Sequence, residues 1–182
     1  MADRPEPTLR LATLEDLYEI EALMKTSIAA IFPALYDDVQ TASSVIYVGH
    51  VDHVIVGDGT YFVLEAAGEI VACGGWSRRA KLYTGSGDAE DDDRIIDPAT
   101  ESARVRAMFV RGDWTRRGLG TRILEACENA ARAEGFTGLI LAATLPGMLL
   151  YEKFGFRTTE MVTFPLPDGV ILDGAVMVRP IS

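Results

Sequence analysis

Thr115-Arg116-Arg117-Gly118-Leu119-Gly120-Thr121 puts two arginines and two glycines directly before an amphipathic run. From Leu119 to Glu134, residues Leu119, Ile123, Ala126, Cys127 and Ala130 fall on one stripe, and Gly135 supplies a stop. Ahead of the turn, Ala103 to Val110 reads as a strand, with Arg104 and Arg106 on one face and Val105, Ala107 and Phe109 on the other. Strand, glycine turn, helix is the arrangement in which the unpaired amides of a helix start point at an anion. Gly118 and Gly120 permit close backbone approach, and Arg116 and Arg117 can add charge-assisted bonds to phosphate oxygens.

The residues around the glycines decide which phosphate ligand fits. A Walker loop needs Lys and then Ser or Thr after its last glycine, and here Thr121-Arg122 follows Gly120. A dinucleotide fingerprint needs Gly or Ala three residues beyond its second glycine, and Ile123 stands there. Both patterns fail. The stretch Ala107 to Leu124, AMFVRGDWTRRGLGTRIL, instead resembles the coenzyme A signature of the GNAT superfamily of acetyl-CoA-dependent N-acetyltransferases, whose form is Q/R-x-x-G-x-G/A. Thr115 replaces the Gln or Arg of its first position. A second GNAT-like phrase, Tyr151-Glu152-Lys153-Phe154-Gly155-Phe156, follows in the right order. The Thr144-Leu145-Pro146-Gly147 loop before it lacks the Asn that many relatives carry.

The resemblance covers nearly the whole chain. It takes in a first strand near Thr8 to Ala12, a helix from the Thr13-Leu14-Glu15-Asp16 capping pattern to near Pro33, and a hairpin between Tyr61 and Trp76. It also includes a strand at Gly138 to Ala143, a short helix from Pro146 to Phe154, and two closing strands, Arg157 to Phe164 and Val170 to Arg179. A second helix is expected from Asp37 to His53. The implied fold is mixed α/β: one domain over residues 1–182, with a central mixed, largely antiparallel sheet splayed at the coenzyme A site and helices on both faces.

The same resemblance implies acetyl-CoA as cosubstrate. Its pyrophosphate would lie on the backbone of Arg116, Arg117, Gly118, Leu119, Gly120 and Thr121, and its pantetheine arm against Met108, Phe109 and Val110. The implied reaction moves an acetyl group to a primary amine of an unidentified acceptor by direct attack. Tyr151 is the candidate general acid, because a phenol with an ordinary pKa of about 10 stays protonated while a thiol near about 8.5 departs as thiolate. Glu65 and Glu101 are the two candidate bases. A non-catalytic acyl-CoA-binding or sensory module, and a transferase of longer acyl groups, share these motifs.

Composition bounds the partners. A net charge of −10 argues against a nucleic-acid partner, whose phosphates need clustered Lys and Arg. No apolar run approaches the ~20 residues of a membrane span, and MADRPEPTLR lacks the apolar core of a secretory signal, so a cytoplasmic protein without a membrane partner is expected. Cys73 and Cys127 read as reduced, buried thiols. His50 and His53, three apart on the expected second helix, lack a third ligand, and no metal is expected. A flexible acidic loop is expected over 78–100, either simply solvated or drawing in a cationic small-molecule or peptide amine. A homodimer is compatible with the resemblance, since proteins of this type often pair.

Overall fold

The computed structural model describes residues 3–83 and 93–182. β1 (Thr8–Leu11) leads through a 3-10 turn into α1 (Leu17–Ile31). The capping pattern forms as expected: the Thr13 N–H donates to Asp16 Oδ2 at 2.7 Å. Arg10 on β1 holds the same carboxylate with two bonds of 2.8 and 2.9 Å. On α1, Ile20, Leu23, Met24 and Ile28 bury one stripe, and Pro33 follows in a 3-10 turn.

The helix expected from Asp37 to His53 divides into α2 (Asp38–Tyr47) and α3 (His53–Gly57). Lys25 Nζ reaches from α1 to the carbonyls of Val45 and Gly49, at 3.1 Å each, and takes up acceptors at the end of α2. Asp52 then starts α3 by accepting from the Val54 amide at 2.9 Å. His50 therefore lies in the connector and His53 opens α3, and the two histidines share no helix face.

β2 (Tyr61–Ala66) and β3 (Glu69–Ser77) form the expected hairpin. Its two-residue turn has positive φ at both Ala67 (51°) and Gly68 (81°), the geometry whose twist matches that of the strands. There follow β4 (Ala103–Val110), α4 (Leu119–Ala133), β5 (Gly138–Thr144), α5 (Met148–Phe154), β6 (Arg157–Pro165) and β7 (Ile171–Pro180). The seven strands form one sheet in the order β1-β2-β3-β4-β5-β7-β6, antiparallel at every junction except β4/β5. α1 and α3 cover one face, with Ile20, Met24, Ile55, Val63 and Cys73 in its core. α4 covers the other, where Leu64, Trp76, Ile123, Leu124 and Leu139 are buried. Both cysteines are free thiols in these cores, and burial pushes that of Cys73 up to about 12.

Two departures from regular pairing shape the centre of the sheet. First, β4 and β5 pair only through Ala103 with Leu139 and Arg104 with Ile140. Beyond Arg104 the strands part, β4 staying with β3 and β5 with β7, and a wedge opens between them. Second, Cys73 faces Phe109 and Gly75 faces Arg106, so Ala107 and Met108 stand opposite Gly74 alone, with Ala107 at φ 52°. This is a β-bulge, and it reverses the alternation. Val105, Met108 and Val110 pack with the α4 core, while Ala107 and Phe109 join the α1 side. The sequence expectation that Val105 shares a face with Ala107 and Phe109 is corrected on this ground.

The flanks of the 78–100 segment are fastened. Arg79 bridges Ile95, Ile96 is buried, and Arg78, Arg79 and Arg94 pair with Glu134, Asp58 and Glu101. Most of the acidic run, 88–92, lies outside the described residues.

Candidate functional site

The wedge between β4 and β5 is the floor of a cleft of about 1060 Å³ that runs from the glycine turn past α5 to α1, α2 and the β6–β7 turn. Its first wall is the glycine turn. Arg116 (φ 61°) and Gly118 (φ 77°) are both left-handed, with Arg117 at negative φ between them, an alternation that gathers backbone amides into a concave anion site. A left-handed arginine is strained by roughly 1 kcal/mol or more, which the surrounding structure must offset. Arg122 is the first residue of α4 whose amide reaches back to Gly118 O, so the amides of Leu119, Gly120 and Thr121 have no partner within the helix. A Cβ on Gly118 would meet nothing within 4 Å, consistent with a turn that rims open space. Gly120 has a different duty: a Cβ there would meet Leu150 Cδ2 at 2.6 Å, so its absence lets α5 pack onto α4.

The two arginines separate. Arg116 lines the cleft and has no salt-bridge partner among the described residues. Arg117 turns away and stacks on the outer side of the turn, its guanidinium 5.0 Å from the Trp114 ring centroid, with Arg4 also 5.0 Å from that ring. Thr115 Oγ1 donates to Gly112 O at 3.1 Å, so the residue that departs from the GNAT pattern braces the turn leading into the loop. Lys153, from the Tyr-Glu-Lys phrase, adds a second cleft cation without a salt-bridge partner among the described residues. Converging amides and unpaired cations fit a phosphate-bearing ligand at this end.

The second wall is the open edge of β4. Met108, Phe109 and Val110 line the cleft, as do Leu141, Ala142 and Thr144 of β5 across the wedge. The bulge that shapes this edge is held from beneath: the fully buried Tyr61 donates its hydroxyl to Ala107 O at 2.6 Å. Burial raises the Tyr61 pKa well above its ordinary value and keeps the donor protonated. Ser27 on α1 donates to Val110 O at 2.7 Å and fixes the far end of the same strand. Nothing in the sequence pattern marks Tyr61 or Ser27, because both act across more than forty residues of chain.

Tyr151, on α5, lines the cleft and is 9% exposed. The ring passes over Gly147, where a Cβ would meet Tyr151 Cε2 at 2.9 Å, and meets Phe156 edge-on at 5.8 Å. Burial pushes the phenol pKa up, and the nearby Cys127 adds to the shift. Its hydroxyl has no hydrogen-bond partner among the described residues. A protonated donor thus stands unengaged in the cleft.

The two carboxylates marked by the sequence lie elsewhere. Glu65 sits at the β1–β2 edge, bonded to Arg10 at 2.8 Å. Glu101 holds Arg94 with two bonds of 3.0 and 3.1 Å and accepts from the Asp97 amide, which drives its pKa down to about 2. Neither lines the cleft, and the structure does not bring them to Tyr151. Among the described residues, no aspartate or glutamate lines it at all, and no cluster of three or more His, Cys, Asp or Glu could hold a metal. The cleft's one imidazole is that of His50. No helix among the described residues is long and apolar enough to cross a membrane.

The splayed sheet, the amide-lined helix start and the buried Tyr151 share one cleft. The chain belongs to the GNAT acetyltransferase domain family, whose model matches residues 57–158, more than half of it. Among curated proteins, it is 34% identical over 68 residues to the human cysteine-rich protein 2-binding protein; the match takes in 37% of this chain and 9% of that protein's length. Among solved structures it is similar to a GCN5-related N-acetyltransferase from Rhodopseudomonas palustris, with a TM-score of 0.71 and 18% identity over 100% of this chain and 99% of that one. It is also similar to the PaiA N-acetyltransferase from Thermoplasma acidophilum, solved with coenzyme A, with a TM-score of 0.63 and 12% identity over 96% of this chain and 98% of that one. These structures share the fold.

Proposed function

We propose that this protein transfers an acetyl group from acetyl-CoA to a primary amine by direct attack. The observation that carries the reading is Tyr151: a protonated hydroxyl without a partner among the described residues, in the same cleft as the amide-lined turn and the open edge of β4. Arg116 and the amides of Leu119 to Thr121 hold the pyrophosphate, and Met108, Phe109 and Val110 offer main-chain groups to the pantetheine arm. A β4 amide beside the bulge steadies the oxyanion as the amine adds to the thioester carbonyl. Tyr151 then gives its proton to the departing thiolate.

Thiol release from acetyl-CoA across a broad amine panel tests this. Tyr151→Phe is expected to lower kcat about a hundredfold while leaving acetyl-CoA affinity within about twofold by calorimetry. Because burial raises the Tyr151 pKa, the acid stays competent as pH rises, and the wild-type rate shows no alkaline descending limb below about pH 10. Saturable acetyl-CoA binding with no thiol release on any amine would instead mark a binding module.

A further inference from the structure

Beyond the reacting end, the cleft opens into a chamber whose occupant the transfer reaction leaves unspecified. Its walls are Phe32 after α1, Tyr47 and Val48 at the end of α2, Tyr83, and Phe164 and Leu166 at the β6–β7 turn. Tyr83 and Phe164 meet edge to face with centroids 4.7 Å apart, and Phe32 packs in the same cluster. Among the described residues, the charged side chains that line the cleft are Arg106, paired with Asp52 at 3.1 Å, together with Arg116 and Lys153. With no carboxylate among the described lining residues, these walls suit a polyanionic cosubstrate at one end. An apolar skeleton gains from burial against the aromatic rings.

His50 also lines this cleft. Its backbone N–H donates to Val48 O at 2.8 Å, and its Nδ1 stands 3.6 Å from Glu21 Oε1 on α1. At that distance the imidazole makes no hydrogen bond to Glu21. Lys25, also on α1, lies 3.6 Å from the same Glu21 oxygen. The other titratable groups near it in the chain are Tyr47 on α2 and, at the start of α3, His53 and Asp52, the last engaged by Arg106.

We propose that the acceptor is a primary monoamine carrying an aromatic or branched aliphatic group, seated among Phe32, Tyr47, Tyr83 and Phe164, and that His50 takes the proton its nitrogen loses before attack. This rests on the acetyl-transfer reading above. The ammonium gives one proton to His50, and the freed lone pair forms the C–N bond at the thioester carbonyl. Collapse breaks the C–S bond, the second nitrogen proton leaves to solvent, and Tyr151 protonates the thiolate. Tyr151 regains its proton from solvent and His50 returns its own, for one proton released per turnover.

The test measures kcat/KM by thiol release for 2-phenylethylamine, isopentylamine, ethylamine, spermidine and a lysine-rich peptide. The two apolar amines are expected to exceed ethylamine by about tenfold or more, with spermidine and the peptide at or below it. Phe164→Ala should erase most of that advantage without changing coenzyme A affinity. His50→Gln should lower kcat/KM near neutrality by about a hundredfold and move its rising limb to higher pH, the two enzymes converging where the amine is already neutral. Preference for spermidine or the peptide overturns the acceptor class, and an unmoved pH profile overturns the role of His50. Should 2-phenylethylamine saturate the coenzyme A complex by calorimetry while no amine releases thiol, the transfer reading fails and the chamber assignment stands.

Discussion

Arg116 and Arg117 are adjacent in the chain and face opposite sides of one turn. Arg116 takes a left-handed backbone and borders the cleft, whereas Arg117 lies over the Trp114 ring. The charge-assisted bonds that an arginine makes to phosphate contribute about 1.5–3 kcal/mol. Arg116→Ala is therefore expected to weaken coenzyme A binding about tenfold or more. Arg117→Ala should leave that affinity nearly unchanged and lower stability by about 0.5–1 kcal/mol, the size of an exposed cation–π contact. Isothermal titration and thermal denaturation of the two variants separate these effects.

At the scale of elements, the bulge in β4 depends on its neighbour β3. Gly74 and Gly75 lie under it: a Cβ on Gly74 would meet Met108 Sδ at 2.7 Å, and one on Gly75 would press into the backbone of Thr60 and reach Tyr61 Cα at 2.7 Å. A methyl at Gly75 meets main chain that cannot rotate away, and it displaces the tyrosine whose hydroxyl holds Ala107 O. Gly75→Ala is expected to cost about 2–3 kcal/mol in chemical denaturation. It should also reduce activity in the fraction that remains folded, since the open edge of β4 shifts with the bulge. The alternating pattern of Arg104 to Phe109 predicts an uninterrupted strand, and that expectation fails here. A bulge is set by what the partner strand admits, and Gly74-Gly75 lies some thirty residues upstream.

For the whole molecule, acid sensitivity follows from carboxylates that close long-range contacts. Arg10 is the main cause of the low pKa of Asp16, about 2, with burial opposing it, and Arg79 likewise lowers that of Asp58. A carboxylate depressed in the folded state stabilises it above the ordinary value near about 4, and that contribution disappears as pH falls toward about 2. The melting temperature is accordingly expected to drop steeply between about pH 4 and about pH 2. Asp16→Asn should show a lower plateau near neutrality and a shallower acid decline.

Residues near one another in the chain already determined much of this protein. The strand, glycine turn and helix around Gly118, the hairpin at Ala67-Gly68, and the Tyr151 to Phe156 phrase express local backbone preferences and short-range periodicity. The family and the sheet's largely antiparallel character were legible from them. Tertiary structure alone decided which groups share the cleft. It divided α2 from α3 through Lys25, left Glu65 and Glu101 with their arginines, and brought His50 and Phe164 into the cleft that Tyr151 also lines. His50 stands more than a hundred residues before both Tyr151 and Phe164. Their meeting depends on how helices and strands pack and on where β4 and β5 part, which no local pattern encodes.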